Sequence, residues 1–289
     1  MTKTLFGGIG MNCPLSVWID YFEELPVEQS IEELVKAGFT HGELSITHLA
    51  RLIEKPNPEV TGAALKTVAD QYGYTISQGH LSFHRGLVTD ESVELLKPEL
   101  DMFAGAGIRK AILHANGGKD MTDEQRYDCW VKNIGKLAQY VEGTGVTLCI
   151  ENLFSVPQCW TADQLKKLVL DAGGKNLAIC LDTGHLHMCR SQGVVNQTHR
   201  EFILKAGDLL QALHITDNNG NGDTHQMPFS SRYGIDWKEV MKALRDIDYK
   251  YLFNLEILGE RGGNMAIKRA KLAFIKEMCA QLLSEEFIA

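Results

Sequence analysis

The sequence has little of what membrane, secreted and nucleic-acid-binding proteins depend on. No stretch reaches the roughly 18 consecutive apolar residues that a membrane helix requires. The seven cysteines are an odd number in a chain of 289 residues and include no Cys-x-x-Cys pair, which indicates reduced thiols rather than a disulfide framework. The formal net charge is -8, so a broad phosphate-binding surface is not expected. These absences predict a cytoplasmic protein with no membrane and no nucleic acid as partner.

The signature of a dinucleotide-binding fold is also missing. Such a fold carries Gly-x-Gly-x-x-Gly between its first strand and the helix that follows. The sequence offers only GGIG at 7–10, followed by Met-Asn-Cys, and no helical pattern opens there. An open, doubly wound sheet that binds a dinucleotide is therefore not favoured.

What the sequence does contain is an alternation of short apolar runs with amphipathic stretches of helical period. Eight runs have the mostly apolar character of strands buried on both faces of a parallel sheet: 5–12, 41–46, 74–81, 110–117, 146–152, 177–185, 210–217 and 251–258. A predicted helix follows each run. Thr161 and Asp236 are predicted N-caps, and Pro98 is expected to kink the third helix. The pattern predicts an α/β protein, a (β/α)8 TIM barrel with a single domain over residues 1–289.

Carboxylates or imidazoles fall at seven successive strand ends, from the second strand to the eighth. In a barrel of this kind, the carboxyl ends of the strands and the loops after them carry the chemistry. The residues concerned are Glu43, His80, His114, Glu151, Asp182, His185, His214, Asp223, His225 and Glu256. By contrast, His41, His48 and His199 precede strands or lie on helices, and we expect them at the surface.

The four residues from strands five to eight predict a metal site. Isolated charges buried in an apolar barrel cost several kcal/mol, so such groups must be paired or bound to metal. We predict Glu151, Asp182, His214 and Glu256 as ligands of a divalent metal ion. Three carboxylates and one imidazole suit Mn, Mg or Co and also accept Zn. Glu43 keeps two alternative roles, as a structural anchor or as a substrate contact.

Four motifs that contain these residues occur in a recognisable order. They are IEN at 150–152, LDTGH at 181–185, HITDN at 214–218 and NLEI at 254–257, with GIDW at 234–237 in addition. Together they resemble the xylose isomerase-like TIM-barrel superfamily, and within it the sugar (phosphate) isomerase/epimerase group that includes the ketose 3-epimerases. The group often carries an Arg a few residues after the seventh-strand His. Residues 216–219 read Thr-Asp-Asn-Asn, so the substrate contact of that Arg is missing here.

The resemblance implies a metal-dependent sugar isomerase or epimerase that transfers a proton alpha to a carbonyl through an enediolate. It implies the same four metal ligands, and Glu151 and Glu256 as the acid/base pair. The substrate would be a small sugar or a sugar-derived compound. We expect the substrate-binding residues to be His185, His80, His114, Glu43, Asp223 and His225. The resemblance is also compatible with a homo-oligomer.

Two other functions stay open on the sequence. Endonuclease IV-like enzymes share the barrel and hold three zinc ions through nine ligands. Their order of residue types can be matched by His80, His114, Glu151, Asp182, His185, His214, Asp223, His225 and Glu256. The absence of an obvious basic surface argues against such a nuclease. The second alternative is a non-catalytic barrel that only binds a sugar.

Overall fold

Eight parallel strands form the centre of the computed structural model, which describes residues 11–84 and 86–289. The strands are β1 (Leu15–Val17), β2 (His41–Leu44), β3 (Thr75–His80), β4 (Lys110–Leu113), β5 (Thr147–Glu151), β6 (Leu177–Asp182), β7 (Leu210–His214) and β8 (Phe253–Leu255). Neighbours in the chain are neighbours in the sheet, and β8 returns to pair with β1. Between β7 and β8, the Ile215 amide donates to the Asn254 carbonyl over 2.8 Å. The predicted (β/α)8 barrel is confirmed.

Eleven α-helices surround the strands within the described part of the chain. They are α1 (Val27–Lys36), α2 (Ile46–Ile53), α3 (Pro58–Gln71), α4 (Asp90–Ala106), α5 (Asp123–Tyr140), α6 (Ala162–Asp171), α7 (Thr183–Ser191), α8 (His199–Ala206), α9 (Trp237–Asp246), α10 (Met265–Leu282) and α11 (Glu285–Ile288). Three of them, α2, α7 and α11, are short helices that the sequence pattern did not predict. None of the described helices is both long and apolar enough to cross a membrane.

Local sequence explains several helix ends. Thr161 accepts a hydrogen bond from the Gln164 amide at the start of α6, and Asp236 accepts one from the Glu239 amide at the start of α9. Both predicted N-caps are confirmed. Helix α4 runs unbroken through Pro98.

The first described strand of the barrel begins only after the first predicted run, 5–12. Most of the predicted run 5–12 lies in residues 1–10, outside the described residues, and the strand that pairs with β2 and β8 is Leu15–Val17. This strand has three residues, and its central one, Ser16, is polar. It therefore lacks the continuous apolar run by which the other strands were recognised.

The sixth predicted strand, 177–185, is three residues too long. Helix α7 begins directly after Asp182, whose side chain accepts a hydrogen bond from the His185 amide over 2.6 Å and caps the helix. The same carboxylate thus ends a strand, starts a helix and stands at the mouth of the barrel.

The interior of the barrel is divided into an apolar half and a polar half. On β4 to β7, the inward side chains form a small buried cluster of Ile112, Cys149, Ala178, Cys180 and Ala212. On β8 and β1 to β3, the buried side chains are instead Asn254, Ser16, Glu43 and Gln78, which we call the polar floor. Because successive residues of a strand alternate sides, Cys149, Cys180 and Ala212 lie directly below Glu151, Asp182 and His214.

A buried tryptophan couples helix α5 to the loops at the carboxyl ends of the strands. The Trp130 side chain is fully buried, and its Nε1 donates to the Asn116 carbonyl over 2.9 Å, in the loop after β4. We expect Trp130→Ala to lower the free energy of unfolding by about 3–5 kcal/mol, because it leaves a large cavity. Trp130→Phe keeps an aromatic six-membered ring and should lose less, about 1–2 kcal/mol, from the missing hydrogen bond and a smaller cavity. Urea unfolding of the two variants would measure the difference, and equal losses would contradict this packing.

Candidate metal centre

The four predicted metal ligands meet at the carboxyl ends of β5 to β8. Glu151 Oε1 and Glu256 Oε2 each lie 3.2 Å from His214 Nδ1. One ligand atom from each of the four residues, Asp182 included, can be chosen so that all four lie within 4.8 Å of one another. All four side chains are buried. Neighbouring strands of the barrel thus bring together groups that are far apart in the sequence.

The chemistry of this group fits a divalent cation. Asp182 is fully buried, and its Oδ2 atom has no hydrogen-bond partner among the described residues, although its Oδ1 caps α7. Burial raises the pKa of Asp182 to about 7, and the charges of Glu256 and Glu151 act in the same direction, against His185. A buried carboxylate oxygen without a donor, beside two further carboxylates, is an environment that a cation stabilises.

A first histidine pair flanks the centre on the side of β3 and β4. His114 Nε2 lies 2.7 Å from Glu151 Oε2 and 3.2 Å from His80 Nε2. His80 Nδ1 donates to the Leu81 carbonyl over 2.8 Å, and although burial lowers the pKa of His80, the hydrogen bond and charge of Glu151 raise it above its usual value. Burial lowers the pKa of His114 to about 4, which leaves a neutral ring that can donate to Glu151. The pair lies beside Glu151 at the carboxyl ends of β3 and β4.

A second histidine pair flanks the centre on the opposite side and shares one carboxylate oxygen. Asp223 Oδ2 lies 3.3 Å from His185 Nε2 and 3.2 Å from His225 Nε2. Burial lowers the pKa of His225, but the charges of Glu256 and Asp223 outweigh it, and the pKa reaches about 10. The structure therefore brings together all the predicted polar residues of β3 to β8 around the four-residue group.

Glu43 has a different position from the other predicted substrate contacts. Its carboxylate is fully buried in the polar floor, and Oε2 lies 3.0 Å from His214 Nε2 and 3.0 Å from Asn254 Nδ2. The Gln78 amide donates to the same oxygen. Glu43 therefore faces the back of the His214 ring, away from the nitrogen that Glu151 and Glu256 approach.

Three aromatic residues of the site were not predicted. Trp18, directly after β1, stacks on His225 with ring centroids 5.6 Å apart and planes inclined by 14°. Phe83 stacks on His114 at 4.6 Å, and Phe154 lies at 5.1 Å from His185. Each follows a strand within a few residues, so an aromatic residue just after a strand end is the signal that could have found them.

Two histidines expected at the surface are buried instead. His48 is 1% exposed, and its Nδ1 lies 2.5 Å from Asp20 Oδ1. His199 is 3% exposed, and its Nε2 donates to the Thr183 carbonyl over 2.9 Å. The segment after β1 covers His48, and the first residue of α7 contacts His199. The prediction was wrong because helical position alone does not tell which face is covered.

The family of the chain follows from a match that spans most of its length. Residues 31–278 match the family described as xylose isomerase-like TIM barrel. The chain belongs to this family. The assignment agrees with the eight-stranded barrel and with the group of acidic and histidine residues at its mouth.

Two named relatives of this xylose isomerase-like TIM barrel are epimerases. D-psicose 3-epimerase of Agrobacterium fabrum is 29% identical over 137 residues, which cover 47% of this chain and 43% of that protein. Fructoselysine 3-epimerase of Escherichia coli O157:H7 is 24% identical over 232 residues, 78% of this chain and 75% of that protein. The chain spans about half the length of several curated relatives that it matches, at 55%, 43% and 56%.

Solved structures share the barrel of this xylose isomerase-like protein. The structure of D-psicose 3-epimerase with D-tagatose from Clostridium cellulolyticum H10 has a TM-score of 0.76 and 18% identity, and it covers 94% of this chain and 99% of that chain. At this identity, the likeness establishes a shared fold.

The geometry of the centre predicts that divalent cations stabilise the protein through Asp182. A cation held at 100 times its Kd should add about 2.7 kcal/mol to the free energy of unfolding. Asp182→Asn should remove most of that increment, because it takes away one ligand charge. Asp217→Asn is the matched control, since Asp217 is also fully buried but pairs with Trp237 and the Asn218 amide. Thermal unfolding with and without Mn²⁺ measures both increments, and an equal increment in the two variants would contradict the assignment.

Proposed function

We propose that this chain is a divalent-metal-dependent sugar isomerase or epimerase that acts on a small sugar or sugar-derived substrate. The observation that carries the proposal is the buried group of Glu151, Asp182, His214 and Glu256, with its unpartnered carboxylate oxygen. The names of the relatives, D-psicose 3-epimerase and fructoselysine 3-epimerase, support the substrate class. The fold and the family membership agree with it.

The four residues of the group would hold the cation, and Mn, Mg, Co and Zn all fit three carboxylates and one imidazole. When bound, a dication supplies Lewis-acid polarisation of the substrate carbonyl, which makes an adjacent proton easier to remove. The two flanking histidine pairs would orient the substrate by hydrogen bonds to its hydroxyl groups.

Glu151 and Glu256 are the proposed proton carriers. They come from strands three positions apart around the barrel, and both approach the same nitrogen of His214. Epimerisation needs one base on each face of the planar intermediate, so one glutamate removes the proton alpha to the carbonyl and the other returns it. In an aldose–ketose isomerisation, one glutamate would move the proton between neighbouring carbons.

Replacement of Glu256 should abolish turnover. We expect Glu256→Gln to lower kcat by at least about 100-fold, because the amide cannot carry a proton. The assay is a panel of ketoses and aldoses in deuterated water with Mn²⁺, read by NMR as exchange of C–H protons with solvent. The metal content of each sample must be matched to that of the wild type, since Glu256 is also a predicted ligand.

Glu260→Gln serves as the control for this assay. Glu260 lies in the same loop after β8, but its carboxylate pairs with Lys271 and with the Tyr21 hydroxyl. It should keep wild-type turnover. Near-wild-type activity of Glu256→Gln at equal metal content would exclude the proposed role of Glu256. A wild type that binds sugars without any proton exchange would support the alternative of a sugar-binding barrel.

One observation favours a second candidate, a trinuclear zinc phosphodiesterase. The nine residues matched to the endonuclease IV-like set lie in three adjoining groups: His80 and His114 at Glu151, the four-residue group, and His185 and His225 at Asp223. Glu151 belongs to the first two groups. Each group has the residue types of a zinc site.

Metal counting separates the two candidates. Elemental analysis of the protein loaded with excess Zn²⁺ and then desalted should give about one ion per chain for the isomerase. Three ions per chain, together with cleavage of a duplex that contains an abasic site, would favour the phosphodiesterase. One ion and no cleavage would exclude it.

A further inference from the structure

Glu43 is a fully buried carboxylate outside the group of four predicted ligands. Its Oε2 atom lies 3.0 Å from His214 Nε2, on the face of the ring that points into the polar floor. We propose that Glu43 is a positioning residue of the metal centre: it holds the His214 proton on Nε2, so that Nδ1 is left to bind the cation. This inference rests on the metal centre of the proposed function and extends it to a residue behind the ligands.

The other hydrogen bonds of the polar floor show that Glu43 is an acceptor. The Gln78 side-chain nitrogen contacts two acceptors, Glu43 Oε2 and the Leu213 carbonyl, so its amide group must donate to both. Asn254 donates through Nδ2 to Glu43 over 3.0 Å, and its Oδ1 accepts from the Ser16 hydroxyl over 2.7 Å. Glu43 Oε2 thus accepts hydrogen bonds from Gln78 on β3 and Asn254 on β8. His214 Nε2, at 3.0 Å, is positioned to donate a third.

The two nitrogens of His214 consequently have different surroundings. Nε2 faces Glu43, while Nδ1 faces Glu151 Oε1 and Glu256 Oε2 at 3.2 Å each. A neutral imidazole carries one proton, and a proton held at Nε2 leaves the Nδ1 lone pair directed at the other ligands. A carboxylate that accepts a hydrogen bond from this N–H also makes the ring a more basic ligand.

The charge of Glu43 has the same consequence. Among the described residues, its ion pair is with His214, and no Lys or Arg contacts it. When His214 is neutral, Glu43 is a buried carboxylate without a cationic partner, which is costly. A dication on the opposite side of the His214 ring relieves that cost. Glu43 and the metal should therefore stabilise each other.

The test compares two buried glutamates. Glu43→Gln keeps the size of the side chain and removes its charge, and we expect it to raise the Kd for Zn²⁺ and Co²⁺ by about 10- to 100-fold. Glu99→Gln is the control, because Glu99 is also buried but accepts from the Ser82 amide and has no hydrogen bond or ion pair to the four predicted ligands. Its Kd should equal that of the wild type. Competition with a chromophoric chelator measures all three proteins, and circular dichroism confirms that each is folded.

A second measurement needs no variant. In wild-type protein with ¹⁵N-labelled histidine and ¹¹³Cd²⁺ as the probe, the proposal expects cadmium coupling at Nδ1 of His214 and a proton on Nε2. Coupling at Nε2 would overturn the proposal, as would a Glu43→Gln Kd within twofold of the wild type. A wild type that binds no divalent ion would overturn both this inference and the proposed metal centre, whereas normal binding with an unaffected Glu43→Gln would overturn this inference alone.

Discussion

Three carboxylates, from Glu151, Asp182 and Glu256, lie with His214 inside a space where all ligand atoms can be within 4.8 Å of one another. At an effective dielectric constant of 20, two like charges 4 Å apart repel by about 4 kcal/mol. Repulsion of that size is comparable to the whole stability of a domain, about 5–15 kcal/mol. Burial, and after it the charges of Glu256 and Glu151, raise the pKa of Asp182 to about 7, so a proton on Asp182 relieves part of this cost. A bound dication would relieve the repulsion while all three carboxylates stay ionised.

The barrel holds these charges together with bonds that continue past the ends of the strands. Asn152 donates to the Asp182 carbonyl over 3.0 Å and accepts from the Asp182 amide over 2.7 Å, so it ties the end of β5 to the end of β6. The Thr183 hydroxyl donates to the Thr216 carbonyl over 2.7 Å and accepts from the Thr216 amide over 3.0 Å. These bonds tie the start of α7 to the loop after β7. These bonds hold the ends of β5, β6 and β7 together, which limits how far the backbone can move Glu151, Asp182 and His214 apart.

Most of this arrangement could be predicted because polar residues fall at the ends of apolar strands, and because they do so on four successive strands. A polar residue at the end of an apolar strand is rare, and β5 to β8 each supply one, so Glu151, Asp182, His214 and Glu256 stand out in the sequence. The failures concern features that depend on distant parts of the chain. The burial of His48 depends on Asp20, 28 residues earlier, and β1 is recognisable only from its pairing with β8. Likewise, the function of Glu43 depends on Gln78 and Asn254, which the sequence alone does not bring near it.

The reaction of the centre depends on what lies between its histidines and carboxylates. His80, His185 and His225 each donate through Nδ1 to a backbone carbonyl, so a neutral ring presents a lone pair at Nε2. For His185 and His225, the charges of nearby carboxylates outweigh burial and raise the pKa of the ring, so without a metal ion Nε2 keeps a proton and donates to Asp223 Oδ2. With protons between these nitrogens and Asp223, the residues form a charged surface suited to sugar hydroxyls. With metal ions in place of the protons, they would form a second metal site. His214 differs, because its Nε2–H donates to Glu43 and the lone pair is left on Nδ1. In both proposed functions the four-residue group would hold a metal ion, and the histidines around it would decide the chemistry.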